Sequence, residues 1–296
     1  MPFQWTPLVL IRLLVAISAT FGNLFLISVI LLSRKTRKES FNILIVQLAV
    51  GDMILGIGNG LRALEGFVIQ PDPVSGSWDR FPCVLVGIPL VIGNYFCELT
   101  VITIALDRVL SIRFPVRYFK ITENNPFLLR LLITVGMTLA ATGFQFYDIA
   151  LTGSTPVCTS APSWGQLYVR FYFYSTCVNN ILVILCYALT ITLYRRKVQT
   201  LPSLSIYRTV IVVVGTYILF WSIPKIVFGV MNELKLLKGV GRVISVLLGL
   251  LQGTSGAINY IICFLTNKDL KQRLEMVMQR GKLKKVTKVS RVSHNT

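Results

Sequence analysis

Acidic side chains are scarce in this 296-residue chain: 12 Asp and Glu stand against 30 Lys and Arg, a formal net charge of +18. Between Asp148 and Glu233 there is no acid at all. Histidine is scarcer still, with His294 alone near the C-terminal end. No Ser/His/Asp set and no metal-ligand spacing can be assembled from such a sequence, which argues against an enzyme. Charged residues make up 14% of the chain. A soluble domain of this length needs far more polar surface. Internal repeats, low-complexity linkers and a second domain are also missing. A transporter built from inverted repeats with broken spans is therefore disfavoured.

What the chain has in abundance is apolar sequence. Hydrophobic residues account for 54%, and mean hydropathy is +0.68. Seven blocks are long enough to cross a hydrocarbon core, which takes roughly 20 helical residues each. They are Leu8–Leu32, Phe41–Phe67, Val84–Ile112, Phe127–Ile149, Leu167–Tyr194, Ile206–Met231 and Val243–Leu265. Helices are expected, because backbone amides in lipid must be satisfied within their own segment or in a closed barrel, and these runs are too long for barrel strands. The first block has no basic flank of the signal-peptide kind and is expected to stay as the first span.

The bases lie between these blocks, the pattern of membrane orientation rather than of a nucleic-acid-reading face. Most fall on one side: Arg34 to Lys38, then Arg108 to Arg130, then Arg195 to Arg208, then the tail from Lys268 to Arg291. Basic loops stay in the cytoplasm, so the N-terminus is expected outside and the C-terminus inside. On this map Cys83 and Cys158 are both extracellular, where disulfides persist. A bridge between them is expected; the alternative is two free thiols. Cys97, Cys177, Cys186 and Cys263 fall inside spans and are expected to pack as small apolar residues.

Several motifs occur in order along the spans: Gly22–Asn23 in the first, "LAVGD" (Leu48–Asp52) in the second, Cys83 opening the third and "DRV" from Asp107 closing it. Tyr187 lies in the fifth block and Pro224 in the sixth. Together they resemble the rhodopsin-like (class A) G-protein-coupled receptors. More narrowly, "IALDRVLSIRFPVRY" and the short loops resemble nematode serpentine chemoreceptors of the Srsx type. The resemblance implies an all-α membrane protein: a seven-transmembrane-helix bundle over residues 1–265, a short amphipathic eighth helix over 266–279 and a basic cytoplasmic tail over 280–296. It implies a plasma-membrane chemosensory receptor, with an unidentified small-molecule or peptide ligand and a heterotrimeric G protein as partners. The tail suits anionic inner-leaflet lipid. Homo- or heterodimers are compatible with this reading. The alternative is a weakly coupling receptor-like protein that acts by heterodimerisation or trafficking.

The resemblance also assigns expected roles. Asp107, Arg108 and Tyr187 fall at the G-protein coupling positions, with Arg108 paired to Asp107 at rest; an interfacial charge pair is the competing reading. A resting lock between this arginine and an acid on the sixth span cannot form, since that stretch has no acid. Arg62, Leu90, Asn94, Lys225 and Phe228 are expected around the outer cavity. Leu90 stands where amine receptors carry an aspartate, so a carboxylate or other small anion is favoured over an amine. Lys225 pointing outward, or pairing with Glu65, is the competing expectation. No lysine occurs in the seventh block, which excludes an opsin-type Schiff base. Asn23, Asp52, Ser255 and Asn259 form an expected polar network able to hold a sodium ion, or else a hydrated network with a protonated Asp52. No other cofactor is expected.

Glu98 is the least usual residue. It is expected to be neutral in mid-span and to donate a hydrogen bond to Asn179 (or Asn180). Other departures from the family pattern are Asn179 in place of a proline, Trp221 one residue early before Pro224, and "NYIIC" (Asn259–Cys263) in the seventh span.

Overall fold

A computed structural model describes residues 7–32, 40–65, 69, 72, 75–123, 127–147, 153–155, 158, 163–197, 204–233, 241–266 and 270–272. It is a bundle of helices: α1 Pro7–Leu31, α2 Ser40–Ala63, α3 Arg80–Arg113, α4 Pro115–Glu123, α5 Phe127–Phe144, α6 Gln166–Lys197, α7 Leu204–Tyr217, a π turn Ile218–Ser222, α8 Ile223–Glu233 and α9 Gly241–Thr266. Among the described residues, five stretches are long and apolar enough to cross a membrane: Val9–Leu31, Ser40–Ala63, Arg80–Arg113, Gln166–Tyr194 and Ile211–Met231. Leu128–Phe144 is a shorter apolar helix.

Polar side chains lie inside the bundle beside the apolar core, and many large apolar ones face outward. Asn23, Asp52, Glu98, Asn180, Ser222 and Asn259 are buried, whereas Leu14, Phe21, Leu128, Leu132, Ile181 and Leu185 are exposed. In water that exposed face would be an aggregation liability; against lipid tails it costs nothing. Such a surface belongs to a membrane protein.

Local sequence explains the helix ends. The residue before a proline avoids helical geometry. Phe114 accordingly leaves the helix (φ −131°, ψ 61°), ending α3, while Pro115 opens α4 at the position where its missing N–H does no harm. The fourth apolar block was expected to run to Ile149, yet its helix stops at Phe144. A tight turn follows, in which Gln145, Phe146 and Tyr147 each bond back three residues. The second block is regular helix to Ala63, and its expected end at Phe67 lies outside the described residues.

The π turn answers two sequence features at once. Pro224 cannot donate a backbone N–H, so the preceding turn must rearrange. The Ile223 N–H bonds to the Ile218 carbonyl, closing a turn one residue wider than an α-turn. That extra residue turns Trp221 into the core, where it is 1% exposed. Trp221 stands one residue early in the sequence, and the wider turn absorbs the offset.

α2 and α3 approach closely because glycines face one another's backbone. A Cβ at Gly58 would lie 2.5 Å from the Leu90 nitrogen, and one at Gly93 would lie 2.7 Å from the Leu55 nitrogen. Small residues at such crossings let membrane helices make dense van der Waals contact. At one end of the bundle, Trp78–Asp79 pairs antiparallel with Ser154–Thr155. This two-strand clasp carries Cys158 to Cys83, and the two are disulfide-bonded with Cα atoms 5.4 Å apart.

Leu270 is helical and fully buried in the main core. The rest of the expected eighth helix, at 267–269 and 273–279, and the tail 280–296 lie outside the described residues.

Candidate functional site

Three buried polar clusters lie along α3. The first is at its Asp107 end. Asp107 is 1% exposed and takes three partners: Arg108 beside it, Arg130 of α5 at 2.7 Å, and the Tyr118 hydroxyl of α4 at 3.0 Å and 3.1 Å. Burial, and then the Asp107 charge, raise the Tyr118 phenol above its ordinary value, so it remains a donor. The Arg108 guanidinium also sits 4.7 Å over the Phe41 ring, while its Nε is buried without a partner among the described residues. Arg108 is thus held back against its own helix. Nearby, the Tyr187 hydroxyl is also buried and has no partner among the described residues, beside a small apolar void bounded by Ile104 and Val213. Leaving a hydroxyl unsatisfied costs about 1–3 kcal/mol, so this end of the bundle stores a polar group with something to gain by rearranging.

The second cluster surrounds Glu98. Its Oε1 accepts from Lys225 Nζ at 2.5 Å, Trp221 Nε1 at 3.1 Å and Thr176 Oγ1 at 3.4 Å; its Oε2 accepts from Asn179 Nδ2 at 3.2 Å. Lys225 Nζ further lies 4.6 Å from the Trp221 ring and 4.9 Å from the Tyr172 ring. Next to it, Asn180 Oδ1 accepts from Tyr217 at 3.1 Å and Ser222 at 2.6 Å. One connected network therefore ties α3, α6 and the α7–π–α8 rod together.

This arrangement bears on two expectations. The expected tie between Glu98 and Asn179 is formed, at 3.2 Å, and Lys225 joins it as a further partner of the same carboxyl group. Lys225 was expected to point into the outer cavity, with an outward-turned or Glu65-paired side chain as the alternative; it is 6% exposed and held by Glu98. Glu65 pairs with Arg62 at 3.2 Å. Sequence reasoning had singled out Glu98 and Lys225 separately. An acid and a base at mid-span on different helices, in a chain so poor in acids, is the signal that could have joined them.

The third cluster is around Asp52. Asn259 Nδ2 donates to one carboxylate oxygen at 2.9 Å and Cys97 Sγ to the other at 3.6 Å. Asn259 Oδ1 accepts from Thr216 of α7 at 3.3 Å. Asn23 Nδ2 donates to the Ala19 and Gly256 carbonyls, and its Oδ1 is buried without a partner; Ser255 is buried as well. A sodium ion needs oxygens pointed at it. The unpartnered Asn23 Oδ1 and the Asp52 carboxylate suit one, but donors already face both carboxylate oxygens. The fit is partial, and the network is satisfied largely by its own amides. Tyr260, next to Asn259, packs its ring against Gly22 and places its hydroxyl 3.4 Å from Ser18 of α1.

Toward the Cys83 end, Leu90 and Asn94 are buried, and Asn94 Oδ1 has no partner. Phe228 lies on α8, but its side chain is outside the described residues. Arg62 is 3% exposed and reaches the Cys158 carbonyl at 3.2 Å as well as Glu65. Arg130, Tyr118 and Asn59 are partners that sequence reasoning did not single out. They sit in ordinary interfacial or helical contexts, where composition carries no signal.

A model of the family described as serpentine type 7TM GPCR chemoreceptor Srsx matches residues 16–278. Galanin receptor 2b of Danio rerio is 24% identical over 204 residues, covering 65% of this chain and 51% of that receptor. The chain thus spans about half the length of the curated relative it matches.

Proposed function

This chain belongs to the serpentine type 7TM GPCR chemoreceptor Srsx family, a family of multi-pass membrane receptors and not of enzymes, and on that premise we propose that it is a chemosensory receptor of the plasma membrane that activates a heterotrimeric G protein. Seven helical passes cross the bilayer, α7, the π turn and α8 forming one of them. The N-terminus and the Cys83–Cys158 clasp face outward, and the basic loops and tail face the cytoplasm, where the tail meets anionic lipid. This topology is supported by the agreement between the seven apolar blocks and the helices, and by the one-sided distribution of bases.

The observation that carries the proposal is Arg108, folded onto Asp107 and Phe41 with a buried Nε left over. At rest, Asp107 is saturated by Arg108, Arg130 and Tyr118. When the bundle opens at this end, the guanidinium swings free and offers its planar donors to backbone carbonyls of an incoming G-protein α-subunit helix. Tyr187 gains the partner that it lacks in the closed form. The Glu98 cluster transmits the ligand signal. Because it joins α3 and α6 to the rod carrying Trp221 and Lys225, a ligand seated above it shifts the resting and open populations by favouring one arrangement of these bonds.

A screen of small organic ligands on cells expressing the full chain with a promiscuous G protein tests the proposal. Ligand-dependent nucleotide exchange supports it. Normal surface delivery with no exchange under any ligand would instead favour a weakly coupling receptor that traffics or dimerises with others. That second reading draws on Tyr260, whose ring is spent on packing against α1.

A further inference from the structure

At the Cys83 end, two arginines share a single carboxylate. Arg62 gives one nitrogen, Nη1, to Glu65 and the Cys158 carbonyl, while its Nε and Nη2 are buried with no hydrogen-bond partner among the described residues. Arg12 of α1 reaches across to Asn59 Oδ1 of α2 at a long 3.5 Å, and its Nε is likewise buried without a partner. The Glu65 charge acts on both guanidiniums, and the Arg62 charge acts on Arg12. The group therefore carries a net charge of about +1 with three guanidinium nitrogens unsatisfied.

Buried guanidinium donors are almost always satisfied, and leaving them bare is expensive. The neighbouring helices are cut back to make room for these side chains. A Cβ at Gly87 of α3 would run into Arg62 Nη2, and one at Gly249 of α9 would lie 3.2 Å from Arg12 Nη2. Four helices thus converge on an electropositive, donor-rich site with too few acceptors among the described residues.

We propose that Arg12 and Arg62 form the carboxylate-binding site of this receptor, taking the head group of a small organic monocarboxylate. The inference rests on the receptor reading above, and it replaces Lys225 with Arg12 as the partner of Arg62. A single negative charge matches the net +1, and a planar carboxylate matches the guanidinium fork. A dianion would overcompensate the charge, and an amine would add to the repulsion between the two arginines.

Thermal unfolding of the purified full-length receptor in detergent, without any G protein, tests the site separately from coupling. The probes are acetate, butyrate, hexanoate and octanoate, with hexanamide and hexylamine as neutral and cationic counterparts. At least one carboxylate should raise the unfolding temperature in a saturable way, and neither counterpart should. Arg62→Gln and Arg12→Gln should each weaken the apparent affinity by about tenfold or more, the scale of a lost charge-assisted hydrogen bond. Arg62→Lys, which keeps the charge should Arg62→Gln fail to fold, should weaken it less than Arg12→Gln does. Glu65→Gln removes the competing carboxylate and should tighten binding. No stabilisation at any chain length, equal stabilisation by hexanamide, full retention in Arg12→Gln, or unchanged or weaker binding in Glu65→Gln would overturn the proposal. Carboxylate binding without nucleotide exchange would leave the site standing and count against the coupling reading alone.

Discussion

Replacing Lys225 by methionine keeps most of the side-chain volume and removes the closest of the four donors to Glu98, the ammonium at 2.5 Å. What is left around the carboxylate is Trp221 at 3.1 Å, Asn179 at 3.2 Å and Thr176 at 3.4 Å, all neutral. Glu98 is fully buried, so no water replaces the lost charge. Breaking one side of a buried ion pair typically costs about 3–5 kcal/mol, most of it the penalty of the stranded charge. Glu98→Gln strands Lys225 in the same way, although Lys225 retains two aromatic faces, so its cost should fall at the lower end of that range. The double variant Glu98→Gln/Lys225→Met strands nothing. A carboxamide still accepts from Trp221, and the residual loss should be about 1 kcal/mol, the net worth of a neutral hydrogen bond. A double-mutant cycle on thermal stability in detergent should therefore show a coupling of roughly 5–7 kcal/mol, with the double variant more stable than either single. Basal nucleotide exchange on the recovered protein should follow the same order, because the pair joins helices that must separate. Simple additivity of the two singles would refute the reasoning, since it would mean that Glu98 and Lys225 do not hold each other in the membrane.

Two further outcomes follow from the fold. Cys83→Ser and Cys158→Ser should each reduce surface expression, and the double should be no worse than either, because the bridge spans a sequence separation of 75 residues and closing a loop of that size is worth about 4 kcal/mol; additive losses measured by surface staining would contradict a single shared bond. Gly93→Val should abolish surface delivery, whereas Gly136→Val, where a Cβ meets nothing within 4 Å, should be tolerated; equal staining of the two would mean that α2 and α3 do not pack as closely as described.

The helices were legible in the sequence because lipid imposes a simple rule: long apolar runs, with bases between them. Five of the seven expected blocks reappear within a few residues of their expected ends, and the fourth helix is notably shorter. Cys83 and Cys158 were legible for the same reason, since the topology expected from the bases put both on one side. Pairings between spans were harder to read. Glu98 and Lys225 are 127 residues apart, and nothing in a linear pattern fixes the rotation of each helix about its axis. Rotation decides whether Lys225 looks into the cavity or across to α3. The π turn was equally hidden: the early placement of Trp221 looked like a departure, and only the backbone reveals that one wide turn compensates for it. Arg12 escaped notice because an arginine near the end of a first span reads as an ordinary interfacial anchor.

Guanine-nucleotide exchange by a purified heterotrimeric G protein, catalysed by this chain in lipid nanodiscs, tests the central claim most directly when Asp107→Asn is compared with Asp107→Asn/Arg108→Ala. Asp107 is the shared acceptor that restrains Arg108, Arg130 and Tyr118, so losing its charge should release the guanidinium and raise ligand-free exchange about tenfold, the effect of some 1.4 kcal/mol on a two-state equilibrium. Adding Arg108→Ala should return exchange to the G protein's own rate. An unchanged rate in Asp107→Asn, with the protein folded by its unfolding temperature, or a raised rate that survives Arg108→Ala, would contradict the account.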